Sequence, residues 1–273
     1  MDRKELDRKE FGRRELDRRE FSAALAAASL AGLLASPAMA QQGASTKPVV
    51  GMLVHPDMIL LDLVGPLTVF NILQADVHLI GKSKQPVMTD VGLPVTPTDS
   101  FDSAPSAFDV LFVPGGLKGT VDGMKDQATV GFLKDRGAQA RFVTSVCTGS
   151  LLLGCAGLLK GYEATSHWYV RQLLPLMGAT LRKERVVADR NRVTAGGVTA
   201  GLDFALTIAA KLADEEMAKR IQLVLEYDPK PPYDAGSPEH AGTAISEGIL
   251  KRRSALIAEA EAAAKDAGAR MTL

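Results

Sequence analysis

The 273-residue chain lacks an excess of either charge: 32 Lys and Arg stand against 32 Asp and Glu, and beyond the amino terminus no basic stripe stands out. That argues against a nucleic-acid surface. Cysteine is scarce, with only Cys147 and Cys155 present. On one helix their spacing separates them by about 12 Å along the axis, beyond disulfide reach. Both are therefore expected as free thiols. No apolar run is long enough to span a membrane permanently. The His, Cys and acidic residues show no metal-ligand spacing, so neither a metal nor another cofactor is expected. What remains suits one ordinary globular domain with appendages.

The amino terminus is the first appendage. Residues 2–21 repeat a charged pentad, DRKEL, DRKEF, GRREL and DRREF, which as a helix would expose charge nearly all round and reads as solvated. Arg18, Arg19 and Phe21 then precede an apolar stretch at 23–34 and the small-residue site Ala38-Met39-Ala40. This is the order of an export signal of twin-arginine type, cut after Ala40, although Arg13-Arg14 forms a second pair. A bacterial protein so exported sits in the periplasm; if the signal is unused, it stays in the cytoplasm. The expected organisation is a signal at 1–40, a linker at 41–48, a catalytic domain at 49–239 and a C-terminal helical tail at 240–273.

From residue 47, short apolar runs alternate with amphipathic stretches, without internal repeats. The fold class this predicts is α/β: a three-layer sandwich with a mostly parallel central sheet. Strands are expected at 49–54, 77–80, 86–89, 93–96, 110–113 and 142–146, with a hairpin at 186–195. Helices are expected at 66–73, opened by Pro66, at 129–137, 149–153, in the second half of 165–174, and as a pair across 200–225. The proline-rich segment 228–238 ends the domain, and 245–267 forms a charged, alanine-rich helix, either packed or held for a partner.

The segment RFVTSVCTGSLLLG places Cys147 where an apolar strand meets a helix start. A thiol there faces backbone N–H groups and the positive helix end, which favours the thiolate and makes Cys147 a candidate nucleophile. A packed, inert cysteine is the alternative. Residues just past other strand ends are its natural neighbours. Asp62, among aliphatic residues before a helix, is either a cap or an acid of raised pKa. Gly115 and Gly116 after Pro114 can bring N–H groups to a ligand as an oxyanion hole, or can simply turn the chain. Thr148 offers its N–H and hydroxyl. His167 either lines the site or packs against Trp168, and Gly196-Gly197 before Ala200 is an anion-binding helix start or a close-packing pair. Cys155 is expected in the core.

Taken together, LLDLVGP, DVLFVPGG, RFVTSVCTGSLLLGCAGLLKG, ATSHW and NRVTAGGVTAGLDFALTIAA resemble the ThiJ/PfpI superfamily, whose fold is flavodoxin-like and related to the glutamine amidotransferases. With QLVLEYDPKPPYDAGSPE the resemblance covers 49–239 and points to the isonitrile hydratase branch. It implies a cysteine-dependent hydration of an isonitrile to an N-substituted formamide, with Cys147 as nucleophile, Asp62 as its acidic partner and Thr148 beside them. It also implies a small-molecule substrate and a homodimer. Peptidase and deglycase relatives usually carry histidine after the cysteine or glutamate for the early aspartate, and neither is present. Two departures stand out: His55, where aromatic residues are common, is expected to alter the pocket rim, and an export signal is unusual for such enzymes. The rivals are a thiol-based redox or small-molecule sensor and an enzyme acting on glyoxals. The stretch after Glu239 is too short for the helix-turn-helix pair of the transcription-factor relatives.

Overall fold

The computed structural model describes residues 47–272. The export signal and most of the linker lie outside the described residues. Seven strands form the central sheet: β1 (Val49–Leu53), β2 (Asp76–Gly81), β5 (Asp99–Ser100), β6 (Val110–Val113), β7 (Phe142–Ser145), β10 (Val186–Asp189) and β11 (Arg192–Ala195). Their order is β10-β11-β7-β6-β1-β2-β5. All neighbours pair parallel except β10 with β11, the expected hairpin. Two small ribbons, β3 (Val87–Met88) with β4 (Pro94–Val95) and β8 (Glu163–Ala164) with β9 (Thr180–Leu181), lie outside it.

Strand alternation builds the layers. Val110 and Phe112 point to one face, Leu111 and Val113 to the other, and all four are buried, as central parallel strands require. The first face packs on α1 (Leu60–Ile72) and α5 (Ala200–Leu212), followed by α6 (Glu215–Val224); Phe112 stacks on Phe204 at 5.4 Å. The second packs on α2 (Leu117–Lys125), α3 (Gln127–Gln139) and α4 (Gly149–Cys155). The long C-terminal helix α8 (Thr243–Thr272), after the short α7 (Pro238–Ala241), joins that layer through buried Ala260, Ala263, Ala264 and Ala267. Of the two readings of this segment, the packed one describes it.

Three elements differ from expectation. Helix α1 begins six residues before Pro66, which lies inside it. Proline there removes only the hydrogen bond that the carbonyl of Asp62 would accept. Helix α2 went unanticipated, since two glycines dilute its pattern. The segment 165–174 yields a 3-10 helix, Arg171–Met177, containing Pro175.

From β1 the chain passes to β2 on one side and then to β6 on the other, so the sheet changes direction between the carboxyl ends of β1 and β6. Ligands of open α/β sheets bind at such a point. Asp62 follows β1, Gly115 and Gly116 follow β6, and Cys147 follows β7.

Candidate active site

Cys147 sits at the turn between β7 and α4 with φ of 58°, a left-handed conformation that costs about 1–2 kcal/mol for a residue with a Cβ. Four contacts hold it there. Its N–H donates to the carbonyls of Gly196 (2.7 Å) and Ala195 (3.2 Å), while its carbonyl accepts from Ser166 Oγ (2.9 Å) and the His167 N–H (3.1 Å). Gly196 thus braces the elbow through its carbonyl, and its N–H donates to the Arg185 carbonyl at 2.9 Å, so that donor is not free for an anion. Ser166 was missed in the sequence; its signal was the hydroxyl within ATSHW.

Asp62, in the first turn of α1, does not cap that helix. The Leu60 N–H is instead capped by Asp90 Oδ1 at 2.9 Å. Asp62 is fully buried; its Oδ2 accepts from the Gly115 N–H at 2.9 Å, and Oδ1 makes no regular hydrogen bond. Burial pushes its pKa up to about 7, against partial relief from the Gly115 N–H and the Cys147 thiol. Burial acts on Cys147 as well: burial first, then the charge of Asp62, hold its thiol well above the ordinary range. The Thr148 N–H hydrogen-bonds the sulfur and pulls the other way, without prevailing. The expectation of a resting thiolate is therefore corrected, because a seven-residue helix start does not offset burial beside a carboxylate. Carboxyl and thiol form a coupled pair.

The glycines also differ from expectation. The Gly115 N–H is engaged by Asp62, and the Gly116 N–H donates to Thr148 Oγ1 at 2.9 Å. Both donors hold the site together and do not point at a ligand. A Cβ on Gly115 would lie 2.6 Å from the Thr148 nitrogen and 2.7 Å from the Cys147 Cβ, and one on Gly116, at φ of 128°, 2.3 Å from the Asp57 carbonyl oxygen. Only glycine fits either position. Thr148 Oγ1 in turn shares a hydrogen bond with Thr120 Oγ1 at 2.7 Å, both buried. Its hydroxyl is thus a brace, and both its N–H and its hydroxyl act on the sulfur.

A pocket of about 240 Å³ opens over Cys147, lined mainly by apolar side chains including Leu117, Trp168, Tyr169 and Val198. His167 lines it too, its ring closer to Tyr169 (3.9 Å between centroids) than to Trp168 (6.0 Å). Burial, with Arg253 and Arg171 nearby, drives its pKa down to about 4, so it is neutral at ordinary pH. Ile249 and Arg253 of α8 complete the wall, a contribution the sequence reading did not foresee. His55 borders a different groove, of about 500 Å³, its ring between the carbonyls of Pro56 and Pro114. Cys155 is buried, 3.7 Å from the Met177 sulfur, its thiol pushed up to about 12 by burial.

A strained cysteine at a strand-to-helix turn, at the switch point of a parallel sheet and coupled to a carboxyl, defines an α/β protein with a cysteine-centred site. Residues 49–211 match the DJ-1/PfpI family, and the chain belongs to that family. It is 48% identical over 204 residues to the isonitrile hydratase of Pseudomonas putida, a match that spans 74% of this chain and 89% of that one. A THiJ/PfpI family protein from Pseudomonas syringae superposes with a TM-score of 0.79 at 44% identity, covering 84% of this chain and 96% of its own. The HTH-type transcriptional regulator GbdR of Pseudomonas aeruginosa is 32% identical over 158 residues, 55% of this chain but only 41% of the regulator.

Proposed function

We propose that the chain is a hydro-lyase that adds water to an isonitrile, giving an N-substituted formamide through Cys147. The observation that carries this reading is the coupled Asp62–Cys147 pair beneath an apolar pocket, in a chain 48% identical to an isonitrile hydratase. An isonitrile carbon must gain both a proton and a nucleophile, and the pair supplies one of each. The thiol passes its proton to Asp62 Oδ1, the sulfur forms a bond to the carbon, and Asp62 delivers the proton to that same carbon. The product is a thioimidate, R–N=CH–S–Cys147. Water then adds, its oxygen to carbon and one proton to nitrogen; collapse expels the sulfur, which regains the remaining proton, and releases R–NH–CHO. The Thr148 N–H steadies charge on the sulfur in both steps, while Gly115 and Gly116 hold the partners in register. His167, neutral, serves as a wall.

Full-length protein incubated with cyclohexyl isocyanide should yield the formamide, and Cys147→Ala should abolish it. Formamide production by that variant would end the scheme. The sensor reading is disfavoured because a buried, raised thiol offers little thiolate to an oxidant.

We also infer a homodimer and export. Leu61, Val64, Met88, Val91 and Leu93 are exposed apolar residues on α1 and the β3–β4 hairpin, and hydrogen bonds from Asp57 to Met88 and from Asp90 to Met58 tie hairpin and helix start together. Such a patch suits a self-association face. Export rests on the Arg18-Arg19 to Ala40 segment, and fractionation of cells expressing the full chain tests it.

A further inference from the structure

The pocket over Cys147 is apolar on most sides, yet α8 places one guanidinium in its wall. Among the lining residues Arg253 is the one Lys, Arg, Asp or Glu side chain. It lies over the Tyr169 ring, 5.2 Å from the centroid, an arrangement that positions a guanidinium while leaving its N–H edge available. Elsewhere on α8, Glu259 pairs with Lys125 and Lys265 with Glu261, but among the described residues no carboxylate pairs with Arg253. A neighbouring cleft of about 470 Å³ shares the walls His167, Trp168 and Val198 and carries Arg171 and Lys183. Those two cations act on Glu239, which also lines that cleft, so their charge is partly answered. The charge of Arg253 is not.

A neutral alkyl isonitrile needs only the apolar walls. Resting on the hydratase reading above, we propose that Arg253 is a specificity-determining residue and that the preferred substrates are isonitriles whose substituent carries a carboxylate. The isocyano carbon sits at the Cys147 sulfur, the substituent runs along the apolar wall, and the carboxylate meets the guanidinium edge. The cation would also raise the local concentration of anionic substrate at the pocket mouth.

The test compares isocyanoacetate with its uncharged methyl ester, using the full chain and formamide as readout. Wild type should favour the acid in kcat/KM, and Arg253→Met should lose about tenfold or more on the acid through KM, with a distinctly smaller change on the ester, whose substituent still meets the altered wall. Arg253→Lys should recover part of the loss, and added salt should weaken the acid alone. Equal losses on both substrates, or no loss on the acid, would overturn the assignment. So would a wild type that hydrates the ester but not the acid, with the hydratase reading intact. If wild type hydrates neither these nor cyclohexyl isocyanide, the hydratase reading falls and the specificity falls with it.

Discussion

The backbone N–H of Gly115 donates to Oδ2 of Asp62 at 2.9 Å across 53 residues of sequence, and in the proposed scheme this bond leaves Oδ1 as the oxygen that carries the proton. Oδ1 stays buried without a regular partner. A carboxyl held by one oxygen and coupled to a thiol through its remaining valence can take a proton from sulfur and return it to carbon without side-chain rearrangement.

Gly115→Ala tests that register. Its Cβ would stand 2.6 Å from the Thr148 nitrogen and 2.9 Å from Asp62 Oδ2, so backbone must give way between the two reacting side chains. Displacements near 1 Å at a reacting centre cost about a hundredfold in rate. The variant should fold, by circular dichroism, while kcat for formamide production falls by about that factor or more.

Asp62 should also mark the stability curve. Its carboxyl ionises near 3.8 when unfolded and at about 7 in the native protein, so between those values the native state binds more protons. Unfolding free energy must then fall as pH rises through that window and level off above it. At 1.36 kcal/mol per pH unit the upper bound is about 4 kcal/mol, reduced by whatever relaxation admits water. Denaturant melts of wild type and Asp62→Asn between pH 4 and 8 should show wild type losing stability relative to the variant as pH rises. Parallel curves would contradict the raised pKa.

What could be read in the sequence follows from where each signal lives. Cys147 and Asp62 were legible because strand ends and the residues after them are local features, and a parallel sheet brings successive strand ends together. The use of Gly115 and Gly116 was not, because whether an N–H faces a ligand or a side chain depends on a residue more than 30 positions away. Arg253 was hidden for a different reason. The face of α8 that docks is made of Ala260, Ala263, Ala264 and Ala267, whose helical spacing carries little hydrophobic contrast against the alanine-rich remainder. Pro66 misplaced the start of α1 because proline favours a first turn, whereas here its lost hydrogen bond falls inside the helix.

The activity profile follows from counting protons on the pair. In the proposed scheme one proton is shared between Asp62 and Cys147 so that the sulfur attacks and the carboxyl delivers. Asp62 gives up its own at about 7, and Cys147 keeps its proton far into the alkaline range. Consequently kcat/KM for a neutral isonitrile should rise through about pH 7 to a plateau, and Asp62→Asn should abolish both the rise and most of the rate. A profile that declines through neutrality would place the productive proton count at two.

Association should respond to charge on the apolar face. Leu61 and Val91 are 51% and 60% exposed, and neither supports the core. Leu61→Lys or Val91→Lys should halve the mass of a homodimer in sedimentation without lowering the melting temperature of the chain itself. An unchanged mass, or a wild type that sediments as a monomer, would remove this face as the interface.

Thr148 separates bracing from chemistry. Its Oγ1 accepts from the buried Gly116 N–H, bonds Thr120 and reaches the Cys147 thiol, whereas its N–H, which also meets the sulfur, survives any substitution of the side chain except proline. Thr148→Val keeps the volume and the N–H but strands a buried donor, which costs about 1–3 kcal/mol. Thr148→Ser keeps the acceptor and should restore most of that stability. If the hydroxyl acts only as a brace, the Ser variant should also recover full kcat, and Thr120→Val, which leaves the Gly116 bond in place, should disturb kcat less than Thr148→Val does. A Thr120→Val variant as inactive as Thr148→Val would show instead that the paired hydroxyls act on the reaction as one unit.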